Sequence, residues 1–211
     1  MTVSSRRDHM PERFPGFRVL DQAAHWDDET RSVVLSRVGR QPDIRFFDID
    51  EQATATALFD RLLDQDPEHR VPVTAMVDAR LAEQQTDGWH YDSMPEDAEA
   101  WRRTLAALEE DAAAAHGRRF ASCATEEQLD LLEQVRSGDG DWHSFDRARI
   151  WSLWTRYACT AFYSHPAAWD EIGFAGPAYP RGYKNLGIDR REPFEVADAH
   201  PDDLPGTGTQ R

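Results

Sequence analysis

The chain has 211 residues, 40% of them apolar and 30% charged, which is the range of a globular domain with flanking arms rather than of a disordered chain. With 24 basic and 39 acidic side chains its net charge is −15, a field that repels nucleic acid and anionic membrane surfaces. No apolar run approaches the ~18 residues that a transmembrane helix needs.

Residues 1–13 read as a polar arm. The Arg6-Arg7 pair is followed by Asp8, Glu12 and Arg13 where an export signal requires an apolar stretch, so a cytoplasmic chain without a signal peptide is expected. Phe14 to Leu20 is an extended or turning piece with apolar anchors. Asp27 to Val38 reads as a short helix with Val34, Leu35 and Val38 on one face. Asp48 or Asp50 caps the next helix, whose apolar face is Ala55, Leu58, Phe59, Leu62 and Leu63, and Asp64 to Pro67 stops it. Another begins near Pro72, with Val73, Met76, Val77 and Leu81 inward.

Ser93-Met94-Pro95-Glu96 has the form of a capping box. The stripe behind it is Trp101, Leu105, Leu108, Ala112 and Ala115, with Gly117 as terminator. Thr125 to Gln128 is a second box, leading Leu129, Leu132 and Val135 to a stop near Gly138. Ser144 is the expected cap of the last and most apolar helix, with Ile150, Trp151, Trp154, Tyr157, Ala158, Ala161 and Phe162 inward and Pro166 as its limit. Cys159 falls in that stretch and is expected to pack as a small buried hydrophobe. The fold class is all-α: a compact bundle of five or six helices carrying an irregular C-terminal arm rich in aromatics, glycine and proline.

That arm, Tyr163 to Tyr183, is unusual chemistry for a loop. Tyr163, Trp169, Phe174, Tyr179 and Tyr183 alternate with Pro166, Pro177 and Pro180 and with Gly173, Gly176 and Gly182. Such a backbone displays aromatics without continuing a helix. Rigid aromatics beside one arginine are what interface hot spots favour. The expected partner interface is therefore His165, Pro166, Trp169, Ile172, Gly173, Phe174, Gly176, Pro177, Tyr179, Pro180, Arg181, Gly182 and Tyr183. The plainer alternative is a loop that wraps its own bundle.

Catalytic and metal patterns are missing from the sequence. The eight histidines form no HxxxH or HExxH, Cys123 and Cys159 form no CxxC, and no glycine-rich nucleotide fingerprint is present. Ser164-His165 lacks a nucleophile elbow, and His165 reads as a structural residue bonding a terminal carbonyl. Asp170-Glu171 reads as a solvated or partner-pairing carboxylate pair rather than an acid–base pair. No catalytic, cofactor-binding or metal-binding residue is assigned.

The string YSHPAAWDEIGFAGPAYPRGY resembles the C-terminal signature of the gluconate 2-dehydrogenase subunit 3 family. Upstream, Asp50-Glu51-Gln52 with the helix to Leu63, then Trp101, Gly117 to Phe120, Glu127-Gln128 and Trp151, follow in the family's order. The resemblance spans roughly residues 46–186. It implies a non-catalytic accessory subunit that binds and stabilises a larger FAD-dependent dehydrogenase of the glucose-methanol-choline type, acting on a sugar, sugar acid or alcohol. FAD is expected in that partner and no cofactor in this chain, with a cytochrome or other acceptor taking the electrons. The soluble extension 1–45 departs from the export signal seen in many members. A flexible acidic tail is expected over 187–211. The alternative from the residues alone is a small stand-alone enzyme or ligand binder using residues 163–183.

Overall fold

The computed structural model describes residues 13–65, 71–89, 91–188 and 190–197. The Arg6-Arg7 pair, Asp66-Pro67, four of the histidines (His9, His69, His90 and His200) and the last part of the tail lie outside them. Among the described residues there is no strand, only an isolated bridge between Trp142 and Phe145. The described residues form seven α-helices: α1 Asp28–Val38, α2 Ile49–Leu63, α3 Val73–Ala82, α4 Asp97–His116, α5 Thr125–Ser137, α6 Arg147–Tyr163 and α7 Pro166–Ile172. Short 3₁₀ helices cover Val19–His25 and Phe120–Ser122. The all-α expectation holds, but the count of five or six was too low. The extra helix is α7, in a stretch expected to be irregular.

The chain divides into two units, Gln41–Phe162 and the pair of segments Met1–Arg40 and Tyr163–Arg211. The first unit is the helical core predicted from periodicity. Trp101, Leu105, Leu108 and Ala112 of α4 are buried with Leu58 and Phe59 of α2 and with Ile150, Trp154 and Tyr157 of α6. Their rings meet edge to face or tilted: Trp101 stands 5.4 Å from Phe59 and 5.6 Å from Tyr157. Two of the buried polar tips are answered, while the Trp101 indole N–H is buried without a partner among the described residues. The Trp154 indole donates to Thr104 Oγ1 at 3.1 Å, and the Tyr157 hydroxyl donates to Asp97 Oδ2 at 2.6 Å. Burial first, and the Asp97 carboxylate second, push the Tyr157 hydroxyl well above its ordinary pKa. Asp78, fully buried on α3, accepts from the backbone N–H groups of Arg45, Phe46 and Phe47 at 2.7, 2.9 and 2.8 Å and so pins the entry to α2.

Helix starts moved by a few residues where several caps competed. Asp48 caps α2 in a full box with Glu51, as expected. The Ser93 box does not form. Pro95 disfavours helix at Met94, Glu96 keeps a non-helical backbone at the cap position, and α4 begins at Asp97, whose carboxylate takes the Tyr157 hydroxyl. Ala124, not Thr125, holds the cap position of α5, and Glu127 closes back on its N–H at 2.7 Å. Ser144 does not cap α6: it lies at φ 67° in the tight Trp142–Phe145 turn, and Asp146 Oδ1 accepts from Arg149 N instead. Several expected inward residues also face out: Leu35, Val38, Ala115, Leu129 and Cys159 are exposed, while Leu62, Leu63, Met76 and Trp151 are half-buried.

The second unit is built on a smaller core of Val19, Trp26, Val34 and Trp169, with Phe17 and Ala23 packed against it. Thus the piece from Phe14 to Leu20 is an anchored entry to a 3₁₀ helix. Part of the expected flexible tail is also folded: over 190–197, Glu192 is buried and accepts from the backbone N–H groups of Lys184 and Asn185. No described helix is long and apolar enough to cross a membrane.

Candidate functional site

All thirteen expected interface residues fall in the unit of Met1–Arg40 and Tyr163–Arg211. Local chemistry explains α7. His165 holds an extended backbone at the N-cap, and its Nδ1 accepts from Ala167 N at 3.2 Å. Pro166 fills the first helical position, where its missing N–H costs nothing. Gly173 ends the helix in the left-handed conformation at φ 69°. His165 therefore caps the following helix through its own ring nitrogen, and its ring also has a hydrogen-bond contact with the backbone of Arg37 in the last turn of α1. Burial lowers its pKa below the usual 6.5 against the opposing hydrogen bond to the Arg37 backbone, with a smaller contribution from the Arg37 charge, which keeps Nδ1 free to accept.

The aromatics of the arm split into two groups. Trp169 is only 5% exposed, and its indole donates to the Tyr163 carbonyl at 2.7 Å. Phe174 packs edge-on to it at 5.3 Å, and the Arg37 guanidinium lies 5.8 Å from its ring. Trp169 is thus a core residue in the free chain and not a displayed one. Asp170 is also occupied: its Oδ1 accepts from Val19 N at 2.6 Å and ties α7 to the 3₁₀ helix. Gly176 sits at φ 76°, where an added Cβ would lie 2.7 Å from the Trp26 ring, so the arm passes the core at backbone distance.

The other group faces solvent. Tyr179 is 64% exposed and Tyr183 is 50% exposed, with Tyr163, Ile172 and Phe174 also exposed. The backbone beneath them is held. Gly182 N bonds Ala178 O at 2.8 Å across the turn that contains Pro180. The Arg181 guanidinium stacks 3.8 Å from the Phe194 ring and donates to Gln22 Oε1 at 3.0 Å. Eleven of the fourteen exposed large apolar side chains among the described residues belong to this unit.

Beside these residues lies a cleft of about 400 Å³ lined by Phe14, Ile172, Phe174 and Tyr183 together with Arg13, Arg190 and Arg191. The arm's Ile172, Gly173, Phe174 and Tyr183 were expected at an interface, but the sequence reading missed the cleft because its arginines lie in the polar arm and the tail at the two ends of the chain. The adjacent arginines at 190 and 191, in an otherwise acidic tail, were the available signal. Among the described residues no group of three or more His, Cys, Asp or Glu side chains is arranged to hold a metal.

These features define an all-α protein that carries a stiffened, partly apolar face. A family model described as gluconate 2-dehydrogenase subunit 3 matches residues 49–176, more than half of the chain, and the protein belongs to that family. The match includes α2 to α7 and Gly176, and stops before Tyr179. The family is that of one subunit of a multi-subunit dehydrogenase, which makes a hetero-oligomer the setting in which this chain works. No match was found among curated proteins or among solved structures.

Proposed function

We propose that the chain is a non-catalytic accessory subunit that binds and stabilises an FAD-dependent dehydrogenase of the glucose-methanol-choline type, acting on a sugar, sugar acid or alcohol. The flavin resides in the partner, and this chain contributes a docking face. The observation that supports this reading is the concentration of exposed apolar side chains in the unit that carries the arm. Clustered exposed apolar surface on a highly charged chain marks an interaction site. Exposed Tyr179 and Tyr183, on a turn already fixed by Gly182 and Arg181, would dock with little further ordering cost. A cytoplasmic location belongs to the same proposal and is read by cell fractionation.

The test is co-expression with a flavoprotein of that type. A yellow complex should be recovered through a tag on the small chain, while the chain purified alone should be colourless. Flavin bound to the isolated chain, or no association with the flavoprotein, contradicts the reading.

A further inference from the structure

Charge is unevenly spread along this chain. Residues 41–162 hold 12 basic and 25 acidic side chains, a net −13, whereas the rest of the chain holds 12 basic and 14 acidic. Within the less acidic part, the cleft of about 400 Å³ gathers three guanidiniums, Arg13, Arg190 and Arg191, against one carboxylate, Glu195. That carboxylate is already used, since its Oε2 accepts from Glu192 N at 2.6 Å. None of the three guanidiniums forms an ion pair with a described residue, although carboxylates outnumber bases in the chain. Arg13 instead lies over the Phe14 ring at 5.8 Å. Phe174, 41% exposed, and Tyr183, 50% exposed, add aromatic surface to the same walls.

Arginine binds carboxylates in a two-pronged fashion, and its flat cation also stacks on rings. A cleft with three such groups and an aromatic wall suits a chain segment that brings carboxylates and an apolar side chain together. It is open to solvent and rich in charge, unlike the enclosed and mostly apolar pockets that hold small molecules. The acidity of the remaining chain repels nucleic acid.

We infer that this cleft receives an acidic segment of the partner dehydrogenase, with carboxylates on Arg13, Arg190 and Arg191 and an apolar side chain against Phe14 and Phe174. This deepens the proposed function and rests on it. It adds that the docking contact is electrostatic as well as apolar, and that the partner supplies the acid.

The experiment titrates the flavoprotein against the full-length chain at two salt concentrations, about 50 and about 300 mM, which change the range of charge interactions roughly two- to threefold. The wild-type chain should bind more weakly at the higher salt. Arg190→Gln/Arg191→Gln should raise Kd by about tenfold or more at low salt and flatten the salt dependence. Arg190→Lys/Arg191→Lys should recover part of the loss. Arg13→Gln, on a separate segment, is read in parallel, so that misfolding of one variant, detected by its melting curve, leaves the other informative. Wild-type binding that ignores salt, or folded glutamine variants with unchanged Kd, overturn the inference while leaving the proposed subunit role intact. A wild-type chain that does not bind the flavoprotein at all overturns both.

Discussion

Trp154 and His165 show how single side chains hold their units. Trp154 is fully buried, rests 5.6 Å from Trp142 and has its N–H satisfied by Thr104. Trp154→Ala should lower the unfolding free energy by about 3–5 kcal/mol through lost burial and a residual cavity. Urea denaturation of the variant reads this directly, and an unchanged midpoint would place the α6 stripe outside the core. His165 adds a pH dependence. Its folded pKa lies below the unfolded value of 6.5, so the unfolded chain takes up the proton first on acidification. The stability it contributes is therefore complete above pH about 6.5 and is lost as pH falls toward the folded pKa. His165→Asn keeps a capping acceptor without the titration. The wild-type minus variant stability should fall between pH 7 and pH 5; a constant difference contradicts the capping role. At this scale the sequence was readable where a residue sat in the middle of a 3.6-residue stripe. Cys159, one step off the Tyr157–Ala158 line, shares the stripe's composition but not its direction, and so it faces solvent.

At the scale of elements, α2 to α6 were visible because their apolar period outlasts errors at the ends, whereas α1 buries only Val34 of the three residues expected on its inner face. Helix starts were less legible, since Ser93, Pro95, Glu96 and Asp97 are all acceptable near a first turn, and α4 begins only at the last of them. Helix α7 was hidden because Pro166 serves equally to stop one helix and to open another. The arm's aromatics looked uniform in sequence, yet packing separates Trp169 from Tyr179 and Tyr183. Two predictions follow from that division. Trp169→Ala should lower the melting temperature of the free chain, because it removes a core ring and the indole hydrogen bond to the Tyr163 carbonyl; an unchanged melt would return Trp169 to the displayed face. Gly176→Ala should cost about 1–3 kcal/mol, the range for forcing an atom into a packed site. Its Cβ would meet Trp26 at 2.7 Å and its φ would stay at 76°. A variant as stable as the parent would show that the arm does not pass the Trp26 core as described.

For the molecule as a whole, the all-α class and the family were legible from periodicity and from one long aromatic string. The pairing of the N-terminal segment with residues beyond Tyr163 was not, because Val19, Trp26 and Val34 find Trp169 more than 130 residues away and no local pattern announces such a contact. That pairing positions the exposed face on which the proposed function depends. The central claim is that this face binds a flavin-dependent dehydrogenase. It is tested most directly by co-purifying that flavoprotein with the wild-type chain and with Tyr179→Ala/Tyr183→Ala. Both tyrosines are at least half exposed, so the variant should keep the wild-type helical signal and melting temperature. It should nevertheless lose several kcal/mol of binding, as truncated aromatic anchors do, and recover far less flavin in the pulled-down complex. A folded variant that retains the full complement of flavoprotein would contradict the account.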